Sequence, residues 1–91
     1  MRKRVEVFYS GRVQGVGFRY SVREIAMGFE IAGHVRNLDD GRVELVGEGD
    51  EKELHEFLQA IQSSHLGDYV RNTAESWKLA TENCKGFVIT H

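Results

Sequence analysis

Glycines at 11, 15 and 17 followed by an arginine at 19 make the run Gly11-Arg12-Val13-Gln14-Gly15-Val16-Gly17-Phe18-Arg19 a candidate anion site. Glycine lets the backbone turn tightly and brings main-chain N–H groups close to a ligand. Where such a turn opens a helix, free N–H groups gather at the positive end of the helix dipole. Arg19 adds a planar guanidinium fork that matches phosphate oxygens. The chemistry this favours is a cradle for a phosphoryl group, formed by the N–H groups of Gln14, Gly15, Val16, Gly17 and Phe18 with the Arg19 side chain. It is not a Walker loop, because no Gly-Lys-Ser/Thr follows, and its glycine spacing is not that of the dinucleotide fingerprint. On residue type alone, a glycine-rich turn is also simply a turn, and an arginine after it a surface charge.

A second segment narrows the choice: Gly33-His34-Val35-Arg36-Asn37-Leu38-Asp39-Asp40-Gly41-Arg42-Val43, continuing to Gly47 and Gly49. The Asn37 amide both donates and accepts, so it can orient a water molecule. Read by itself, it is equally a turn residue ahead of Asp39-Asp40-Gly41. Together the two stretches resemble the two signatures of the acylphosphatase family. The first reads GRVQGVGFR without a mismatch. The second keeps Gly33, Val35, Arg36, Asn37, Gly41, Val43 and Gly49 at the family's spacing, with His34 where the family usually has an aromatic. The resemblance covers nearly the whole chain. It implies hydrolysis of the carboxyl–phosphate anhydride of small acyl phosphates, with Arg19 and the glycine-rich loop on the phosphate and Asn37 on the attacking water. It also implies that inorganic phosphate is both product and inhibitor.

That reaction suits the residues available. An acyl phosphate is a mixed anhydride whose carboxylate leaves without much protonation, and phosphoryl transfer asks chiefly for positioning and charge stabilisation. No metal or other cofactor is expected: His34, His55, His65 and His91 show neither metal-ligand spacing nor a partner motif. Chain pattern does not set the distance between Arg19 and Asn37; the resemblance does.

The elements that must position these residues follow from periodicity. Arg4 to Ser10 alternates as a strand with Val5, Val7 and Tyr9 on one face. Phe18, Val22, Ile25, Ala26 and Phe29 recur at helical spacing, with Gly28 near the helix end. Ile31, Gly33 and Val35 alternate towards Asn37, and Asp39-Asp40-Gly41 turns the chain into a return strand carrying Val43, Leu45 and Val46. Asp50 and Glu53 read as a capping box. Leu54, Phe57, Leu58 and Ile61 form an apolar helical stripe, and Ser63 to Gly67 a loop. Trp77 and Leu79 mark a further strand whose face they share with Thr73 and Glu75, and Phe87 to Ile89 closes the sequence. The predicted fold is α+β, the ferredoxin-like split βαβ with order β-α-β-β-α-β: one antiparallel sheet with two helices on one face. In that arrangement the first strand is central and the tips of its neighbours lie near the cradle.

Ninety-one residues predict a single domain spanning 1–91, with a modest core. A hydrophobic content of 41% is ordinary for a globular chain. The net charge of −2 argues against a nucleic-acid partner held by charge, so any anion site must be local. An RNA-binding sheet of this topology would need exposed aromatics and a basic face. A metallochaperone would need a cysteine pair, and Cys84 is alone. With no long apolar run and no leader-like pattern, the chain is expected in the cytoplasm as a monomer, away from membranes. The rival to an enzyme is a module that holds a phosphorylated metabolite without turnover. His34 faces away from Val35 and is expected to pack, and Phe8, Phe18, Phe29, Phe57, Trp77 and Phe87 are expected in the core.

Overall fold

Val5, Val7 and Tyr9 alternate along the first strand, and all three are buried on one face of a sheet. The computed structural model describes residues 1–91 and orders them as β1 (Arg2–Gly11), α1 (Phe18–Ala26), β2 (Ile31–Asn37), β3 (Val43–Asp50), α2 (Glu51–Ser63), a 3₁₀ turn (His65–Tyr69), β4 (Val70–Leu79) and β5 (Phe87–Ile89). The spatial strand order is β4-β1-β3-β2-β5, so β1, β3 and β2 are inner strands and β4 and β5 the edges. Phe18, Val22 and Ala26 of α1, and Leu54, Phe57 and Ile61 of α2, bury against Val5, Val7, Tyr9, Val35, Val43 and Leu45. The ring of Phe57 lies 5.7 Å from those of both Phe29 and Phe87, tying the two helices to the last strand. This is the predicted ferredoxin-like arrangement.

Three details depart from expectation. The sheet is mixed rather than wholly antiparallel: β5 runs parallel to β2 on its outer edge, pairing Gly33 with Phe87 and Val35 with Ile89. The cause is the route of the chain. β4 and β5 occupy opposite edges, so residues 80–86 must cross the sheet between them. The capping box is only half formed. Asp50 caps α2 by accepting the Lys52 N–H, but the Glu53 carboxylate turns to the Glu30 N–H (2.9 Å) and ties down the α1–β2 connection. The expected loop at 63–67 is shorter, because α2 continues through Ser63 and Ser64 then caps the 3₁₀ turn by accepting the Leu66 N–H.

The crossing segment explains a residue that pattern alone leaves obscure. Glu48 lies on the face of β3 away from the helices, yet it is only 1% exposed. Its Oε2 accepts the Thr81 N–H (2.8 Å), the Thr81 hydroxyl (2.7 Å) and Arg4 (3.0 Å), and its Oε1 accepts the Glu82 N–H (2.9 Å). Burial alone would raise the carboxyl's pKa. The Thr81 N–H and hydroxyl, Arg4 and the Glu82 N–H overcome it and hold the group at about 2, against an ordinary 4.5. A depressed native pKa stabilises the fold fully above the unfolded value, and that stabilisation is lost as pH falls through the native one. Glu48→Gln is therefore expected to lose roughly 3 kcal/mol of unfolding free energy at pH 7. The gap to the unaltered protein should close between pH 4.5 and about 2. Urea titrations across that window check it, and a gap that does not change with pH would show that the carboxylate is not what holds the crossing.

Candidate active site

The chain leaves β1 at Gly11 and enters α1 at Phe18. Between them, Gly15 (φ 79°) and Gly17 (φ 78°) take the left-handed conformation that L side chains rarely adopt. No atom lies within 4 Å of a Cβ built at either position, so the backbone angle, not crowding, requires glycine there. Gly11 does something else: it sits at the register shift where β1 meets Val70, outside the cradle.

Gly17 is the N-cap residue of α1 and supplies no side-chain cap. The first main-chain bond of the helix is from the Ser21 N–H to the Gly17 carbonyl (3.0 Å), and the N–H groups from Gly15 to Tyr20 donate to no protein group. Four of these donors, Gly17 to Tyr20, belong to the positive helix end, and Gly15 and Val16 precede it; with Arg19 on the first turn they form a concentrated positive potential.

Asn37 is the last residue of β2, paired with Val43 across the hairpin. The hairpin is closed by the Leu38 N–H to the Arg42 carbonyl (2.8 Å), and Asp40 accepts both the Arg42 N–H (3.1 Å) and its guanidinium (2.8 Å). The Arg42 amide, then its guanidinium, holds the Asp40 carboxyl below the usual range, so Asp40 serves the turn. Gln14 clamps this hairpin to the loop: its Nε2 donates to the Leu38 carbonyl (2.7 Å) and the Arg42 carbonyl (2.9 Å). The backbone of one candidate segment is thereby locked to that of the other.

A cleft of about 100 Å³ opens where the two meet. Gly15, Gly17, Arg19, Tyr20 and Asn37 line it, with the buried Val13 and Phe18 as its apolar wall. No acidic residue lines it, and Arg19 is its one charged side chain. The Asn37 Oδ1 is buried and has no hydrogen-bond partner in the protein. An orphaned buried acceptor costs about 1–3 kcal/mol, so such an atom marks a place where a ligand or water completes the structure. Of the residues singled out in the sequence, Gly15, Gly17, Phe18, Arg19 and Asn37 come together here. Gln14 and Val16 do not line the cleft: Gln14 faces the hairpin, and Val16 packs partly buried against the core. The clamp formed by Gln14 escaped sequence reasoning, since a glutamine in a loop carries no signal of what its amide will reach.

Other expectations meet mixed outcomes. His34 faces away from Val35 as expected. It lies half-buried on the face of the sheet away from the helices, 3.7 Å from Glu44, because strand alternation sends it opposite the buried Val35. Phe8 shares that face, under the Arg42 guanidinium at 4.7 Å. Trp77 is half-buried and stacks on His55, with ring centroids 4.4 Å apart. Phe18 and Phe57 are in the core as expected.

A ferredoxin-like sheet whose glycine-rich first connection opens a helix beside an unsatisfied asparagine defines an α+β fold with a cleft open to a small ligand. Comparison with known proteins makes the class specific. The acylphosphatase family model matches residues 5–89. The acylphosphatase of Archaeoglobus fulgidus is 41% identical over 87 residues, covering 96% of this chain and 97% of that protein. The crystal structure of acylphosphatase from Bacillus subtilis superposes with a TM-score of 0.89 at 36% identity, over 98% of this chain and 99% of that one. The structure of an acylphosphatase from Coxiella burnetii gives 0.84 at 30% identity, over 98% and 93%. The chain belongs to the acylphosphatase family, and it is a hydrolase of acyl phosphates. No helix is long and apolar enough to cross a membrane.

Proposed function

We propose that the whole chain acts as one catalytic domain on small acyl phosphates, with Arg19 and the N–H groups of the glycine-rich loop binding the phosphoryl oxygens and Asn37 orienting the attacking water. The observation that carries this reading is the unpartnered Asn37 Oδ1, buried in the same cleft as Arg19 and the free N–H groups. An amide is a poor base, so Asn37 aligns the water by hydrogen bonding. The proton then passes to the substrate phosphate or to solvent. Charge builds on the phosphoryl oxygens and the departing carboxylate, and donors fixed in advance stabilise it without reorganising. The bond that breaks is the one between phosphorus and the anhydride oxygen; the products are the carboxylate and inorganic phosphate. No step calls on a metal ion or other cofactor.

This mechanism discriminates by leaving group. A carboxylate leaves unaided, whereas an alkoxide needs a general acid, an aid worth about 10²–10⁴-fold. The cleft lining offers no carboxyl, histidine or lysine for that role, and its one phenol, Tyr20, is largely exposed to solvent. Phosphate release from an acyl phosphate is therefore expected to proceed at full rate in the presence of a chelator. Release from an alkyl phosphomonoester should be slower by about 10²-fold or more. Activity abolished by chelator and restored by a divalent ion would overturn the mechanism, as would equal turnover of the two substrate classes.

A further inference from the structure

The ladder between β2 and β5 runs one rung past Ile89. Thr90 donates its N–H to the Val35 carbonyl (3.0 Å), beyond the Val35–Ile89 pair. That rung brings His91 alongside the first turn of α1, with its Nδ1 3.5 Å from a terminal nitrogen of Arg19. The imidazole is the only hydrogen-bonding side chain that the Arg19 guanidinium meets in the protein, and it stands just outside the cleft lining.

Building on the reading of Arg19 as the anion-binding side chain, we propose that His91 is a second member of the same anion site. As neutral imidazole, its Nδ1 accepts from Arg19 and steadies the empty guanidinium fork. Protonated, it stands beside Arg19 as a second cation and draws in the phosphoryl group.

No acidic side chain pairs with either residue. From α1, Arg19 faces the imidazole, and the next cation, Arg23, lies against the Tyr20 ring at 5.8 Å. From β2, the neighbouring Asn37 is uncharged, and the Arg36 guanidinium is drawn to Glu44 (2.7 Å). No acidic residue lines the cleft. Without an anion, protonating His91 sets two cations in contact; an anion bound between them turns that repulsion into shared attraction. Anion binding and protonation are then reciprocally coupled, and histidine changes charge between about pH 5 and 8. The sign follows directly: the anion binds more tightly when the imidazole is charged, and the gain is lost as rising pH neutralises it.

Sulfate is the probe, because its charge stays fixed from pH 5.5 to 8.5 while that of phosphate does not. In calorimetric titrations the unaltered protein is expected to bind sulfate about five-fold more tightly at pH 5.5 than at pH 8.5, the gain from one exposed charge at contact distance. His91→Gln, which leaves the main chain and any carboxylate on it unchanged, should bind weakly with no such dependence. His91→Lys should bind tightly at both pH values. A His91→Gln protein that follows the pH curve of the unaltered protein would refute the role of His91, as would an unaltered protein with no pH dependence. Arg19→Ala separates the two readings: if it keeps full sulfate affinity, the anion site itself is misassigned. If it loses affinity while His91→Gln keeps the original pH curve, only the proposal for His91 falls.

Discussion

Arg19→Ala is expected to fold normally, to lose acyl phosphate hydrolysis and to lose inhibition by inorganic phosphate in the same step. Its side chain is half-exposed and contributes only the 3.5 Å contact with His91 to the native protein, so little stability depends on it. As the one charged side chain of the cleft, it carries the charge-assisted contacts to the anion. A hydrogen bond to a charged group is worth about 1.5–3 kcal/mol in the ground state. A donor aimed at developing charge is worth more, so the fall in kcat/KM should reach about 10²–10³-fold. Arg19→Lys should not restore the rate, because a point charge cannot span two oxygens as the planar fork does. Steady-state kinetics with phosphate as competitor measure both effects at once. A lysine variant of near-normal activity would make Arg19 a bystander.

Asn37→Ala should separate turnover from binding. If the amide orients water, kcat falls about 10²–10³-fold, while KM and the affinity for inorganic phosphate move only a few-fold. The stability effect has an informative sign. Because Asn37 Oδ1 is buried without a partner, the native protein already bears the cost of that orphaned acceptor. Removing it should leave the melting temperature unchanged or raise it, as expected where function holds a strained or unsatisfied group in place. A turn residue would behave in the opposite way, with a lower melting temperature and undiminished activity in the folded fraction. Circular dichroism melts and phosphate titration on one sample distinguish the outcomes, and a stable Asn37→Ala protein with normal turnover would remove asparagine from the mechanism.

Much of this architecture was legible from residue types because period-2 and period-3.6 patterns report directly on burial. Val5, Val7 and Tyr9 revealed β1; Phe18, Val22 and Ala26 revealed α1; Leu54, Phe57 and Ile61 revealed α2. The cleft residues Gly15, Gly17, Arg19 and Asn37 were legible for another reason: residue type alone fits an ordinary turn and a surface charge equally well, and the resemblance to the two acylphosphatase signatures decided between the readings. What escaped notice depends on long-range contact. Glu48 looks like an ordinary solvent-facing carboxylate until residues 80–86 cross over it, and nothing local in β3 announces that crossing. The parallel pairing of β5 is hidden likewise, since three residues are too few to carry a register signal. Glu53 was assigned a local partner by its capping-box spacing and Gln14 none, and both side chains reach segments more than twenty residues away.

The central position of β1 carries a consequence for how the molecule comes into being. Lys3 stands opposite both Gly49 of β3 and Leu79 of β4, so the strand made first is flanked on one side by a strand made near the end. During synthesis β1 must wait, its Val5–Val7–Tyr9 face only partly covered, until β4 has left the ribosome. Contacts so distant in sequence demand a large loop closure before they return any free energy, which puts folding in the range of about milliseconds to seconds rather than microseconds. Refolding is therefore paced by how soon the two ends of the chain find one another, not by how fast either helix winds.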